Sequence, residues 1–186
     1  MKIFKEINWF LKRKALANIK LIILDADGVL TDGSLYYGKT GELIKKFNVK
    51  DGLGIKFLQK NMIKVAIISG GAEGAINIRA KNLNIDHCVT NAKDKIKEVK
   101  FLRKTYQCKI NEVAFLGDDL NDLVVKKEVG LLIATNDASQ NLKKRSDLIL
   151  DKKGGNGAVR ELSERILSRS QFFSSVLKLG WKDKND

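Results

Sequence analysis

Short apolar runs punctuate the chain, and several of them stop at glycine, serine or aspartate. Leu21-Ile22-Ile23-Leu24 meets Asp25-Ala26-Asp27-Gly28, Val65-Ala66-Ile67-Ile68 meets Ser69-Gly70-Gly71, and Val113-Ala114-Phe115-Leu116 meets Gly117-Asp118-Asp119. A brief continuous apolar run that ends in a Gly-rich turn reads as a buried parallel strand whose carboxyl end opens into a crevice. Cys88-Val89-Thr90, Gly130-Leu131-Leu132-Ile133-Ala134 and Leu148-Ile149-Leu150 read as further strands. Helical spacing with Ile55, Phe57 and Leu58 predicts a helix over residues 52–61, and further helices are expected over 73–83 and over 93–105, with another after Asp122. Residues 34–47 place Gly38 and Gly41 between β-prone flanks, which predicts a hairpin projecting over the first crevice. Strands alternating with helices predict the α/β class: a doubly wound, mostly parallel sheet in three α/β/α layers, Rossmann-like in its winding.

Composition bounds this picture without redirecting it. With 186 residues and 44% hydrophobic content, the chain suits one domain with a proper core and short terminal additions. Residues 1–20 mix Trp9, Phe10 and Leu11 with basic residues and read as an amphipathic extension that packs on the body or on a neighbour. No apolar run approaches the roughly 18 residues of a membrane span. Cys88 and Cys108 form neither a disulfide framework nor a paired metal motif, so a reducing cytoplasm is the expected compartment. The net charge of +13 would attract anions, but the lysines are spread along the chain with no basic block interleaved with aromatics. A small acidic substrate is therefore expected, and nucleic acid is not.

The candidate chemistry sits at the strand ends. Alternation along a strand sends Asp25 and Asp27 to the same side, so one carboxylate can hold a metal or attack while the other handles a proton. Two acids this close repel and need a cation, a shared proton or water. In a doubly wound sheet, neighbouring strand ends share one crevice. There Asp25 and Asp27 would meet Ser69, Lys95 at the start of its helix, and Asp118, Asp119 and Asp122. Taken singly, Ser69 is a common helix cap, Lys95 a solvated lysine and the later acids a helix N-terminus. The ordered set is harder to dismiss.

Asp25-x-Asp27, Ser69, Lys95 and Gly117-Asp118-Asp119-x-x-Asp122 resemble the four ordered motifs of the haloacid dehalogenase superfamily of phosphohydrolases, over residues 21–167. The resemblance implies Asp25 as the nucleophile that becomes an aspartyl-phosphate and Asp27 as general acid and base. It implies Mg²⁺ held by Asp25, the backbone carbonyl of Asp27 and Asp118. Ser69, Gly70 and Lys95 would hold the phosphoryl group, with Asp119 and Asp122 orienting metal-bound water and Lys95.

Asp27-Gly28-Val29-Leu30-Thr31-Asp32-Gly33, Phe47-Asn48-Val49-Lys50-Asp51-Gly52 and Gly154-Gly155-Asn156-Gly157-Ala158-Val159-Arg160-Glu161 are similar to the 3-deoxy-D-manno-octulosonate 8-phosphate phosphatases. That branch implies a sugar-acid phosphate as substrate, a core without a cap domain, and a homotetramer in which hairpin and carboxyl-terminal segment close sites across subunits. Neither the stretch from Asp27 to Ser69 nor that from Ser69 to Lys95 has room for a cap of domain size, roughly 50 residues or more. Many relatives have Arg where this chain has Gly71, leaving Lys50, Arg79 and Arg160 as candidate contacts to the sugar acid. Residues 168–186 read as a tail. The alternatives are a phosphatase for a nine-carbon keto-sugar acid 9-phosphate and, in other classes, a receiver-like or inactive phosphate-binding module. Receivers place the acidic pair first and the phospho-accepting Asp on a middle strand, unlike the order here.

Overall fold

In the computed structural model, residues 2–41 and 43–181 are described. The helices α1 (Lys2–Leu11) and α2 (Arg13–Ala17) lead into β1 (Leu21–Leu24), and a hairpin of β2 (Tyr36–Tyr37) and β3 (Leu43–Ile44) precedes α3 (Val49–Lys60). The alternation continues with β4 (Lys64–Ile68), α4 (Ala75–Asn82), β5 (His87–Val89), α5 (Lys95–Thr105) and β6 (Val113–Gly117). A 3-10 stretch, Leu120–Glu128, leads to β7 (Leu131–Ala134), α6 (Gln140–Arg145), β8 (Leu148–Ile149), α7 (Ala158–Leu167) and α8 (Gln171–Leu179).

The main sheet has the order β5-β4-β1-β6-β7-β8, and every neighbouring pair is parallel. Such a sheet must be covered on both faces, and the alternation of β1 shows how. Ile22 and Leu24 face one core with Ile55 and Phe57 of α3, Ile76 of α4 and Leu162 of α7. Leu21 and Ile23 face the other with Val99 and Leu102 of α5 and Leu142 of α6. The winding turns one way from β1 through β4 to β5 and the other way from β6 onward, so the switch lies beside the carboxyl end of β1, where such folds bind ligands.

Several boundaries differ from the sequence expectation. α3 begins at Val49 because the Asn48 side chain accepts the amide of Lys50 and caps it. α4 starts at Ala75, later than the expected 73, because Gly74 lies at φ 132, outside any helical geometry. The expected helix after Asp122 is the 3-10 stretch instead, capped by Asp119. The amphipathic start of the chain packs on the body: Trp9 and Leu16 join the core, and the Arg165 guanidinium lies 4.4 Å from the Trp9 ring centre. In the segment expected to be a tail, α8 buries Phe173, and Phe172 and Trp181 meet Phe57 edge to face at 5.9 and 5.0 Å.

Candidate active site

At the end of β1 the Asp25 amide still donates to the Leu116 carbonyl, so the sheet fixes this residue before the chain turns. The Ala26 carbonyl then accepts the amides of Val29, Leu30 and Thr31, which winds the turn tightly. Gly28 sits at φ 78, and a Cβ there would stand 2.0 Å from Asp118 Oδ2. Glycine at 28 thus allows both the left-handed turn and the approach of the β6 acid. The loop after β8 backs this turn, with the Gly155 amide donating to the Val29 carbonyl at 2.9 Å.

The end of β6 supplies the remaining acids. Asp122 is fully buried, and its Oδ2 accepts the Asp118 amide at 2.9 Å and the Asp119 amide at 3.4 Å, while Oδ1 takes the Lys95 ammonium at 2.6 Å. Lys95 also reaches Asp25 Oδ1 at 3.1 Å. Asp25, Asp118 and Asp122 each offer a carboxylate oxygen, all within 4.8 Å of one another. One ammonium faces three carboxylates, and the proton affinities register the imbalance. Burial, then the neighbouring Asp25, Asp122 and Asp119, push the Asp118 carboxyl up to about 8. Burial and Asp122 push Asp25 up to about 6, against the pull of Lys95. Burial would lower the Lys95 ammonium, but Asp25 and Asp122 outweigh it and hold the group above its ordinary range. A cluster short of positive charge, built of hard oxygen donors, fits a divalent cation such as Mg²⁺. Because both Asp122 oxygens are committed to Lys95 and the backbone, the donors free to meet an ion are those of Asp25 and Asp118.

The other strand ends arrive beside this cluster. Ser69, 1% exposed at the end of β4, accepts the Gly71 amide on its Oγ at 3.0 Å, and Gly70 stands exposed in the same turn. Asp27 leaves 32% of its side chain open; it takes the Lys45 ammonium at 2.7 Å on both oxygens and the Thr31 hydroxyl at 3.3 Å. Neither Lys45 nor Thr31 was singled out from the sequence. Asp119 points along the chain to cap Leu120.

The candidate sugar-acid contacts lie elsewhere. Lys50 is exposed and lines a cavity of about 680 Å³ with Lys46, Phe47, Lys153 and Asn156, a lining that does not include Asp25, Asp27 or Asp118. Arg79 donates to the Asn48 carbonyl at 3.4 Å and lies over the Phe47 ring, behind the start of α3. Arg160 pairs with Glu164 and stacks over Phe57 at 4.5 Å, while its amide donates to Asp51. These contacts hold its guanidinium along α7 rather than in the acid cluster.

A family model for haloacid dehalogenase-like hydrolases matches residues 73–162. The fold and the strand-end acids accord with that class, and the protein is a phosphatase of the haloacid dehalogenase type. The 3-deoxy-D-manno-octulosonate 8-phosphate phosphatase of Yersinia pestis is 44% identical over 151 residues, 81% of either chain. The chain belongs to the 3-deoxy-D-manno-octulosonate 8-phosphate phosphatase family. The crystal structure of the Moraxella catarrhalis phosphatase of that name, in complex with magnesium ion, phosphate ion and a KDO molecule, has a TM-score of 0.85 at 36% identity, covering 89% of this chain and 95% of that one. The cobalt-bound Haemophilus influenzae phosphatase has a TM-score of 0.82 at 40% identity, covering 87% of this chain and 94% of that one.

Proposed function

We propose that this chain hydrolyses the phosphate ester of a 3-deoxy-2-keto sugar acid, 3-deoxy-D-manno-octulosonate 8-phosphate, to the free sugar acid and phosphate. The observation that carries the proposal is the meeting of Asp25, Asp118, Asp122 and Lys95 at one strand-end crevice with Asp27 beside them. The names of the relatives supply the substrate. Asp25 attacks phosphorus and the ester bond to the sugar oxygen breaks, while Asp27 gives its proton to that oxygen. Water then attacks the aspartyl-phosphate; Asp27 takes the water proton, and Asp25 is released with inorganic phosphate. Lys95 and Ser69 hold phosphoryl oxygens, and Gly70 lets the phosphate approach the backbone. Asp25, Asp118 and the Asp27 carbonyl would hold Mg²⁺, which when bound offsets the repulsion between phosphate and carboxylates. Asp122 keeps Lys95 in place, and Asp119 orders the turn that presents Asp118.

Residues 21–167 form the catalytic unit in this reading, and Lys46, Lys50 and Lys153, which line one cavity together with Asp32 and Asp137, are the cations offered to the acidic end of the substrate. The chain acts as a homotetramer in which the exposed apolar hairpin residues Leu35, Tyr36, Tyr37 and Ile44 are covered. Phosphate release measured on the eight-carbon acid 8-phosphate, a nine-carbon acid 9-phosphate and simple hexose phosphates tests the reading. The eight-carbon ester should lead by at least about tenfold in kcat/KM, a difference of roughly 1.4 kcal/mol in transition-state binding, with turnover lost in excess chelator. Comparable efficiency on hexose phosphates would refute the substrate, and full activity in chelator would refute the metal.

A further inference from the structure

Lys45 follows β3 at the base of the hairpin, between Ile44 and Lys46, which are both open to water. Lys46, its neighbour, leaves 63% of its side chain exposed and pairs with Asp32 at the surface. The Lys45 side chain is 3% exposed. An ammonium taken out of water is costly unless it is paired and hydrogen-bonded. Its partner is Asp27, whose two carboxylate oxygens each lie 2.7 Å from Nζ. The space for this pair is left by Gly71: a Cβ there would stand 2.9 Å from Asp27 Oδ2 and 3.4 Å from Lys45 Nζ.

We infer that Lys45 is a positioning residue for the phosphatase reaction, holding the Asp27 carboxylate by both oxygens and placing a fixed positive charge where negative charge appears as Asp27 gives up its proton. The inference rests on the reading of Asp27 as general acid. Without Lys45, the remaining side-chain hydrogen bond to Asp27 among the described residues is the 3.3 Å contact from Thr31, which reaches one oxygen. An ammonium on both oxygens restrains rotation of the carboxylate, and 32% of the Asp27 side chain stays open to solvent. The ammonium needs no reorganisation during the reaction, the condition under which such a charge is most effective. Lys45 also fixes the hairpin to the active-site turn, so the alignment of the general acid depends on a segment well removed from the β1 end.

The leaving group distinguishes this role from a structural one. Expulsion of a sugar alkoxide needs a proton from the enzyme, whereas expulsion of 2,4-dinitrophenolate does not. With Mg²⁺ present, single-turnover release of the leaving group isolates the first step, since hydrolysis of the aspartyl-phosphate uses Asp27 whichever group has left; there Lys45→Met should slow release of the sugar from 3-deoxy-D-manno-octulosonate 8-phosphate about 100-fold, and release of 2,4-dinitrophenolate less than about fivefold, within the range that general acid catalysis supplies. Lys45→Arg should recover most of the alkyl-ester rate. Lys45→Gln, neutral and of similar length, should show the same selective loss even if Lys45→Met fails to fold. Equal losses on both esters would overturn the inference and assign Lys45 to hairpin stability. Asp27→Asn, measured in parallel, separates the two readings: a selective alkyl-ester loss there with none in the Lys45 variants overturns the inference alone, and a selective loss in neither overturns the general-acid reading with it.

Discussion

Lys95 brings a positive charge to a place where Asp25, Asp118 and Asp122 have little water to share, and the residue is only 6% exposed. Removing it would leave buried carboxylates facing one another. Lys95→Ala should lower stability by about 3 kcal/mol, the scale for breaking a buried ion pair from one side, and should abolish turnover. Urea denaturation and phosphate release check the two parts, and a variant of wild-type stability would show that water already screens the cluster. Asp118 gives the site a pH signature in the metal-free protein. Its folded carboxyl holds a proton up to about 8, whereas an aspartate in the unfolded chain releases it near about 4. Between those values the folded state binds more protons, so stability from this group falls as pH rises from about 4 to 8. Asp25, raised to about 6, adds the same sign over the lower part of that range. Melting in chelator should therefore move to lower temperature across the range, and Asp118→Asn should flatten the fall. Mg²⁺ should raise the midpoint more at pH 8 than at pH 5, because the acids it would join are then ionised. Equal Mg²⁺ stabilisation at both values would rule out these carboxylates as its ligands.

At the scale of elements, the join between α3 and α7 supports the active-site turn. Asp51 of α3 is 1% exposed, and its carboxylate accepts the Gly157 amide at 3.1 Å and the Arg160 amide at 2.9 Å, capping α7 from a neighbouring helix. Asp51→Ala should cost about 2 kcal/mol, the upper range for losing a cap and leaving its amides unpaired, and Asp51→Asn less. Thermal melts compare the two; equal losses would argue that Asp51 fills space and does not cap. Much of this layer was legible in the sequence. The apolar runs of β1, β4 and β6 are buried on both sheet faces, so their composition alone marks them, and their polar ends fall at the switch point. The acids and Lys95 could be collected for the same reason. Local geometry was less legible. Asn48 starts α3 three residues ahead of the apolar spacing, and the turn that aims Asp122 at the Asp118 amide favours 3-10 winding. Lys45 left no trace: among 35 lysines and arginines, only the fold-back of the hairpin sets it against Asp27. The grip of Arg160 by Glu164 and Phe57 was hidden likewise, since it depends on how α7 crosses α3.

Over the whole molecule, the charge of +13 surrounds a site proposed to take a substrate with both phosphate and carboxylate. Such a field accelerates the approach of anions and is screened over about 8 Å at physiological salt. Raising ionic strength should lower kcat/KM for the sugar-acid phosphate while leaving kcat nearly unchanged; a fall in kcat of the same size would point to damage at the site itself. The proposed tetramer has its own test: Tyr37→Glu with Ile44→Glu should yield a smaller particle in light scattering and lower activity, and an unchanged mass would remove the hairpin from the interface. The sheet order carries a further consequence, one of timing. β1 is made first of the six strands, yet it sits between β4 and β6, with Leu21 beside both Lys64 and Val113. During synthesis its apolar residues must wait for both neighbours, and β6 is the later to emerge. Folding then ends by setting late strands against an early one, which makes it slow and leaves partly built chains prone to stick. Nascent chains halted before Val113 should be protease-sensitive and held by chaperones, and those halted beyond β7 should acquire resistance in a single step.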